Sequence, residues 1–551
     1  MSVLLGLEAD FRSGTFVRLG SAVNQSAGAD FDRYPMYARR RCNLTNDGRI
    51  TAYYGEAAYT ETGKLTQNVW VQGREYPAGT CVQVMVEQPK FYYRVDPLEL
   101  EPMSGGAGYH LRKARYWISD EPQQGFRIHP AFVRDGLTRD QIYLSAYEGC
   151  RYYAYIDAYL DDSGGVTYGS EALGSVAGYR PLSGTYTPLT RANARTLAHG
   201  WGRGWELTTA ASAACSQLLM AVEYAGFDLQ AALGKGVTAL SYTDTNTNRA
   251  VKTGTTSALG NRSGMAAGAD GQTAISYRGE ENFWGNIGNW LDGILPNSAT
   301  GTYYLADHDF SENVAAESYW DSGLPVPTTS GFISAFAFQE TCDWLFVPSE
   351  TQGGSAKPVG DAFQYADLSD GANPSAAMSG DWQSGENAGP FYWNQTIAPG
   401  GQSALIGARL AYFPTARWVC DRTQNDVKNG TAKGHYNAAD LNRVGTAMNE
   451  IAAWLKTCGY DVSIRAKTDW KVGDIPTQSQ MKQYLDDLAI LRSSIPLSSQ
   501  TPEAPSDMDR LTWQEANDIE LILRNFHMLF SAMEAAWYYS GETFCGEVTN
   551  E

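Results

Sequence analysis

Residues 380–394 read GDWQSGENAGPFYWN, and residues 406–410 close the same region with IGARL. Aromatic rings offer a large, rigid contact area at low entropic cost, and amide and hydroxyl side chains offer adaptable hydrogen bonds. This mixture is typical of ligand-binding surfaces. The sequence therefore predicts a ligand-binding segment whose candidate residues are Asp381, Trp382, Gln383, Ser384, Asn387, Tyr392, Trp393 and Asn394.

Side-chain alternation limits how many of these residues can face a ligand. Along an extended segment it would bury Phe391 and Trp393 or else Tyr392, so we expect about half of the candidate side chains to be internal. The IGARL stretch is typical of a core strand. We expect Arg409 within it to satisfy a buried carboxylate or carbonyl groups rather than a ligand.

Two earlier segments have a similar composition. Residues 191–205 read RANARTLAHGWGRGW and lead into a helix predicted near 205–225, whereas residues 277–287 read YRGEENFWGNI and are followed by WLDG at 290–293. Trp284 and Trp290 are expected in the core. Asn282 and Asn286 are expected to bond to irregular backbone that has no sheet ladder to join.

Paired carboxylates could also indicate a glycan hydrolase, in which two acids flank the bond that is cut. The candidates are Glu280, Glu281, Asp292, Asp343 and Glu350. Neighbouring residues of an extended segment point to opposite sides, so Glu280 and Glu281 would not flank one bond. The simpler interpretation is that Arg278 pairs with one of them in a buried turn.

A helix followed by a long region rich in Trp, Gly and Asn, ending in G-x-W-x-x-G, AGPFYW and IGARL, resembles a C-type-lectin fold. More narrowly, it resembles the ligand-binding proteins of phages and prophages, the group that includes the major tropism determinant and other diversity-generating retroelement variable proteins. Similar segments occur in predicted phage tail or fibre proteins. Those segments are HPAF at 129–132, residues 191–205, RGEENFWGN at 278–286, WKVGDIPT at 470–477 and YSGE at 539–542.

The resemblance implies a receptor-binding protein of a phage virion, on the tail fibre, tail tip or capsid surface. Its partners would be a bacterial surface receptor, protein or glycan, and other virion proteins. Homotrimers are common among the resembled fibre proteins, and three linked weak sites would raise attachment. The protein would be synthesised in the bacterial host cytoplasm and reside in the virion. A purely structural virion protein is the second alternative, with the aromatic residues of 381–396 buried in subunit contacts.

The sequence departs from two enzymatic or metal-dependent branches of that fold. The Glu-Pro-Asn or Gln-Pro-Asp and Trp-Asn-Asp motifs of calcium-dependent sugar binding do not occur, so the resemblance does not imply calcium. The related sulfatase-activating oxidases use catalytic cysteines, and no paired cysteines occur in the matching region. We therefore expect no cofactor, although main-chain oxygens leave calcium possible.

The predicted architecture is α+β and multidomain. Residues 1–128 form a β-rich anchoring or assembly region, with strands near 15–20, 50–55 and 82–86 and a hairpin turn at Asn46-Asp47-Gly48. Residues 129–418 form the C-type-lectin-like ligand-binding domain. Residues 419–551 form a helical domain, because three apolar stripes recur there at helical spacing. The stripes are 441, 444, 448, 451, 455; then 481, 484, 485, 488, 491; then 519, 522, 526, 529, 533, 537.

Composition excludes several other functions. The chain has 551 residues, with 42 Lys plus Arg against 61 Asp plus Glu and a net charge of −19. A chain this acidic is poorly suited to nucleic-acid phosphates or to an anionic membrane. The N-terminus lacks a basic region, so we expect no signal peptide. The apolar stretch near 205–225 is too polar to insert in a membrane.

Known catalytic and metal-binding motifs are missing. The sequence contains no H-E-x-x-H, no G-x-S-x-G and no Walker loop. The eight cysteines include no C-x-x-C pair, and no two of the six histidines lie within five residues. The spacing therefore predicts free thiols and no local zinc site. We predict a binding protein rather than an enzyme.

Overall fold

The computed structural model describes residues 3–71, 74–104, 108–134, 137–202, 204–242, 246–352, 358–365, 375–398, 400–414, 418–430, 434–471 and 473–540. The chain divides into two compact units. The first comprises Met1–Asp135 and Arg139–Pro414, and the second comprises Gly136–Thr138 and Thr415–Glu551. The described residues form a mixed, β-rich structure of the α+β type.

The strands, in chain order, are β1 Leu4–Asp10, β2 Thr15–Gly20, β3 Arg40–Leu44, β4 Ile50–Tyr53, β5 Val69–Val71, β6 Arg74–Tyr76, β7 Gln83–Pro89, β8 Tyr92–Pro102, β9 Tyr109–Ser119, β10 Arg127–Ile128, β11 Val133–Arg134, β12 Leu137–Thr138, β13 Gln141–Ser145, β14 Cys150–Tyr153, β15 Ala158–Leu160, β16 Glu171–Gly174, β17 Trp205–Leu207, β18 Gly264–Met265, β19 Ile275–Tyr277, β20 Glu280–Glu281, β21 Gly288–Trp290, β22 Ile294–Asn297, β23 Thr302–Leu305, β24 Trp320–Pro325, β25 Gly331–Phe338, β26 Pro348–Gln352, β27 Ala362–Gln364, β28 Ser375–Met378, β29 Trp393–Ile397, β30 Ile406–Gly407 and β31 Leu410–Tyr412. The helices are α1 Arg191–His199, α2 Ala210–Tyr224, α3 Leu229–Leu233, α4 Gln424–Lys428, α5 Ala438–Thr457, α6 Gln478–Ser494 and α7 Trp513–Ser540.

One large sheet joins the predicted N-terminal and central regions. Its order is β10-β8-β9-β25-β27-β29-β28-β21-β30, with β1 and β2 beside β9 and β26 beside β25. The bridge between the regions is β9, where Leu111 lies opposite Phe336 of β25. This corrects the predicted boundary at residue 128, because the first unit, Met1–Asp135 and Arg139–Pro414, includes residues from both sides of that boundary. Residues from both sides also share one apolar core.

A second sheet has the order β17-β31-β13-β7-β3-β4 and again combines distant segments. The predicted strands at 15–20, 50–55 and 82–86 correspond to β2, β4 and β7. The predicted hairpin turn joins β3 to β4, and Gly48 supplies the positive φ of 77° that this turn requires. The local β predictions are therefore confirmed.

The central helix is shorter than the pattern indicated. Residues 205–207 form β17, which pairs with β31, and α2 begins at Ala210. The helix starts there because the Thr209 side chain accepts from the Ser212 backbone N–H, while the Ser212 hydroxyl accepts from the Thr209 N–H. This reciprocal cap ends the strand and begins the helix.

The second unit is helical, as the three apolar stripes predicted. Helices α5, α6 and α7 contain the stripes, and their inward residues share one apolar core. Among its members are Val444, Leu455, Leu488 and Phe526. The side chain of Trp537, the last position of the third stripe, lies outside the described residues, and so does part of the YSGE segment. None of the helices in the described part of the chain combines the length and hydropathy of a membrane-spanning segment.

Candidate functional site

The three aromatic side chains of the predicted binding segment are internal. Trp382, Tyr392 and Trp393 are 0%, 6% and 1% exposed. Trp393 belongs to β29, which lies between β27 and β28, and its Nε1 donates to the Phe346 carbonyl at 3.0 Å. These rings are buried within the chain itself rather than in a subunit contact. These rings therefore pack in the interior and do not offer contact area to a ligand.

The prediction from strand alternation is wrong in one respect. It expected either Trp393 or Tyr392 to face outward, and both are buried. The reason is that Tyr392 precedes β29 in a turn, where its N–H donates to the Gly389 carbonyl at 3.2 Å. Strand alternation does not extend into a turn.

Asp381 is also buried, whereas Gln383, Ser384, Asn387 and Asn394 are at least partly exposed, so half of the eight side chains are internal, as expected. Ser384 Oγ accepts from the Asp381 N–H at 2.9 Å, and Asp381 in turn accepts from the Gln383 N–H at 2.9 Å. Burial raises the pKa of Asp381 to about 6. Asn394 Oδ1 accepts from the Thr396 backbone and hydroxyl. Ligand binding by the eight residues stays a prediction.

Neighbouring loops meet this segment. The Leu240 N–H donates to the Trp382 carbonyl at 2.8 Å, and the Gly184 N–H donates to the Ser403 carbonyl at 2.9 Å. A third link joins Asn248 N–H to the Thr185 hydroxyl at 3.0 Å. The first bond joins residues 237–242 to 381–387, and the other two join residues 183–187 to 400–405 and 246–251. Asn286 bonds to Val237, Val251 and Trp382 and so connects these two groups of loops. Beneath them lies a small apolar cluster of Val237, Ala250, Ala274, Ile287 and Trp382.

Two tyrosines that the sequence analysis missed are exposed on these loops. Tyr186 is 52% exposed and Tyr242 is 49% exposed. The Tyr242 ring meets the Trp382 ring edge to face at 5.8 Å, and the Arg249 guanidinium lies 5.0 Å from the centre of the Tyr242 ring. Both tyrosines stand between threonine or serine neighbours in polar loops, and that pattern is the signal by which they could have been found.

Five tyrosine, glutamine and asparagine side chains on these loops keep their hydrogen-bonding groups unused within the described part of the chain. We call them the loop surface: Tyr186, Tyr242, Gln383, Asn387 and Gln402. Two of them, Gln383 and Asn387, belong to the predicted set. Their amides and the tyrosine hydroxyls are available to a ligand, whereas the buried aromatic residues hold the loops in place.

Asn286 connects the loops to the core. Its backbone N–H donates to the Val237 carbonyl at 2.6 Å, and its carbonyl accepts from the Trp382 N–H at 3.2 Å. Its side-chain oxygen accepts from the Val251 N–H at 2.7 Å, and its side-chain nitrogen donates to Glu148. One buried residue thus holds three loops, which confirms that it bonds to irregular backbone. Its φ of 60° is tolerated because asparagine visits the left-handed region more readily than most residues.

Glu148 is the buried acceptor behind this anchor. Its carboxylate accepts from the side chains of Asn282 and Asn286 and from the Ile287 N–H. Burial raises the pKa of Glu148 to about 8, although these amide donors and the charge of Arg409 act in the opposite direction. The position of the loops is therefore linked to a titratable group.

The predictions for Arg409 and Arg278 differ in their outcome. Arg409 donates to the carbonyls of Glu281 and Ser145, both at 2.9 Å, which confirms its structural role. Arg278 does not pair with Glu280 or Glu281 as expected. Arg278 instead forms a bidentate salt bridge with Glu223, because the Arg278 backbone turns at a φ of 44° and directs the side chain toward α2. Trp284 and Trp290 are in the core, as expected.

The five carboxylates of the hydrolase alternative are all engaged. Arginines bind three of them: Arg39 donates to Glu280, Arg195 to Asp292 and Arg112 to Glu350. Glu281 accepts from the backbone N–H and the hydroxyl of Thr256. Asp343 accepts from Tyr93 and Arg127. Four of them are buried. Only Glu350 is appreciably exposed among these five, and Arg112 lowers its pKa to about 2.

The described cysteines and the other potential metal ligands form neither disulfides nor a metal-binding cluster. The seven cysteines in the described part are free thiols, and Cys545 lies outside it. Within the described ranges, no group of three or more His, Cys, Asp or Glu side chains is placed to hold a metal ion.

Comparisons with known proteins add little to this geometry. No protein-family model matches the chain, and no curated protein matches it. Among solved structures, the chain is similar to the Major Tropism Determinant U1 Variant, with 12% identity over 68% of this chain and 71% of that chain. The TM-score of 0.23 is too low to establish a shared fold.

Proposed function

We propose that this chain is a receptor-binding protein of a phage virion that attaches to a bacterial surface through the loop surface. The observation that carries the proposal is the set of five neutral side chains whose hydrogen-bonding groups are unused, set on loops anchored to a rigid core. Exposed tyrosines with adjacent amides are the chemistry of binding surfaces. The motif resemblance supports the virion setting and a C-type-lectin-like scaffold.

We also propose a role in assembly. The second compact unit, which has its own helical core, would mediate contacts with other virion proteins. Three copies of the chain would form a trimer that attaches to the bacterium as one particle. A trimer gains avidity because the second and third sites bind at high effective concentration. The hydrolase alternative has less support, since Arg or backbone donors already engage each of its candidate carboxylates.

Adhesion of the purified full chain to a panel of bacterial strains tests this function. Tyr242→Ala should reduce adhesion about tenfold or more, as for removal of a binding hot spot. Tyr155→Ala is the matched control, because Tyr155 is 86% exposed but lies on the β14–β15 hairpin outside the loop surface. Circular dichroism confirms that both variants fold.

Three outcomes decide the proposal. Loss of adhesion with Tyr242→Ala and normal adhesion with Tyr155→Ala supports the loop surface as the attachment site. The reverse pattern overturns that assignment. If the unmodified chain adheres to none of the strains, attachment itself is overturned in favour of the structural alternative.

A further inference from the structure

The loop surface is poor in charge. Its five side chains are neutral, and the described residues of the five connected loops include three charged ones, Arg249, Asp381 and Glu386. Asp244, between two of these loops, lies outside the described residues. Asp381 is buried and bonds to a backbone N–H of its own loop, and the Arg249 guanidinium lies against the Tyr242 ring. A ligand bound here would therefore meet mainly phenol and amide groups, with Glu386 as the exposed charged residue of the 381–387 loop.

The charge of the whole chain restricts the ligand further. At a net charge of −19, the protein repels polyanions, and Glu386 adds a negative charge beside the loop surface. The loop surface also lacks the contiguous apolar centre, with desolvated anchors, that is usual for protein interfaces. Its two tyrosines are separate and half-exposed instead. Both observations favour a neutral, hydroxyl-rich ligand.

Amide and phenol groups complement sugar hydroxyls. An amide offers both a donor and an acceptor, and so does each hydroxyl of a sugar. The C–H bonds on one side of a pyranose ring carry partial positive charge and pack against the negative face of an aromatic ring. Tyr242 suits this role because Trp382 and Arg249 hold its ring in one orientation while about half of its surface remains exposed.

We infer that the loop surface recognises a neutral glycan of the bacterial surface, with Tyr242 as its stacking platform and Gln383, Asn387 and Gln402 as hydrogen-bonding groups. This inference rests on the proposed function and specifies its ligand. It needs no metal ion, because recognition depends on stacking and on neutral hydrogen bonds.

The test uses an adhering strain and competitors prepared from it. Extracted surface polysaccharide is separated on an anion exchanger into a neutral flow-through fraction and a retained acidic fraction. Each fraction then competes for adhesion of the full chain. Parallel cells are treated with periodate, which cleaves vicinal diols, or with protease. The expected result is competition by the neutral fraction, loss of adhesion after periodate and retained adhesion after protease.

Salt and a conservative variant strengthen the test. Adhesion should change less than about threefold between about 0.05 and 0.5 M NaCl, since neutral contacts are not screened. Tyr242→Phe keeps the ring and should keep most of the adhesion that Tyr242→Ala removes. Gln383→Ala and Gln402→Ala should each weaken competition by the neutral fraction.

The outcomes separate this inference from the proposed function. Adhesion that is lost after protease and survives periodate overturns the assignment of a glycan as the ligand, but it leaves the proposed receptor binding in place. Competition by the acidic fraction alone, or a steep fall with salt, overturns the neutral character of the ligand. Absence of adhesion to every strain overturns the proposed function itself.

Discussion

The two groups of aromatic residues near the loops differ in their surroundings and therefore in what they can do. Trp382 and Trp393 are fully buried and hold the segment 381–397 in place, whereas Tyr186 and Tyr242 are half-exposed. Both groups stand in polar, glycine-containing sequence. A cluster of aromatic residues in such sequence therefore indicates a structured loop region, and isolated tyrosines beside it provide its accessible surface.

Substitution in the buried group should change stability most. Trp393→Ala should lower the free energy of unfolding of the first unit by about 3–5 kcal/mol, because it leaves a cavity in a central strand and frees the Phe346 carbonyl. Calorimetry or denaturant titration measures the change. An effect below about 1 kcal/mol would show that the ring does not support the fold, and the contrast with Tyr242 would break down.

The anchor beneath the loops should come next. Asn286→Ala removes bonds to Glu148 and Val251 and leaves buried groups without partners, at an expected cost of about 2–4 kcal/mol. Hydrogen exchange at the Val251 amide should accelerate. The matched control is Asn282→Ala, a buried residue with a similar backbone that also bonds to Glu148. Equal acceleration at Val251 in both variants would contradict the role assigned to Asn286.

Glu148 gives the anchor a dependence on pH. Its pKa in the folded chain is about 8, well above the ordinary value of 4.5, so the folded state binds the extra proton between these values. The stability that this proton contributes is complete below about pH 4 and is lost as the pH rises through 8. Between about pH 5 and 7 the unfolding free energy should therefore fall by about 1.4 kcal/mol per pH unit on account of this group.

Glu148→Gln should remove the part of the slope that Glu148 contributes, about 1.4 kcal/mol per pH unit, while the contributions of Asp343 and Asp381, whose pKa values are raised to about 6, should persist. Denaturant titrations at several pH values measure the difference. Glu350→Gln is the control. Because Arg112 lowers the pKa of Glu350 to about 2, its contribution to stability is lost only as the pH falls below about 4, and the slope between pH 5 and 7 should persist. An unchanged slope in Glu148→Gln would show that Glu148 is not the group responsible.

The smallest effect on stability is expected at the exposed group. Tyr242→Ala should change the unfolding free energy by about 1 kcal/mol or less, because half of its ring already faces solvent. The same variant is the one expected to lose adhesion. A thermal melt beside the adhesion assay checks both. A destabilisation as large as that of Trp393→Ala would mean that Tyr242 is a packing residue too.

The local elements could be predicted from the sequence because their signals are local. Apolar stripes at helical spacing indicated α5, α6 and α7, and alternating valines indicated β7. The joining of β9 to β25 had no such signal, since the pairing depends on residues far apart in the chain. For the same reason the partner of Arg278 was missed, because Glu223 lies on a different element.

The candidate site was predicted in part. The polar residues Gln383 and Asn387 are accessible, as their chemistry suggested, but burial of Trp382 and Tyr392 depends on which loops lie over them. Composition alone does not reveal that cover. Tyr186 and Tyr242 were missed because each stands alone in its own stretch. Only the fold brings the loop of Tyr242 against residues 381–387 and the loop of Tyr186 against residues 246–251 and 400–405.

The unused side chains of the loop surface have a practical consequence for engineering. Gln383, Asn387 and Gln402 form no side-chain hydrogen bonds with the rest of the described chain, so the fold does not depend on their identity. A library randomised at these positions should retain the melting temperature of the parent in most members. The chain would then serve as a display scaffold on which new specificities are selected without redesign of its interior.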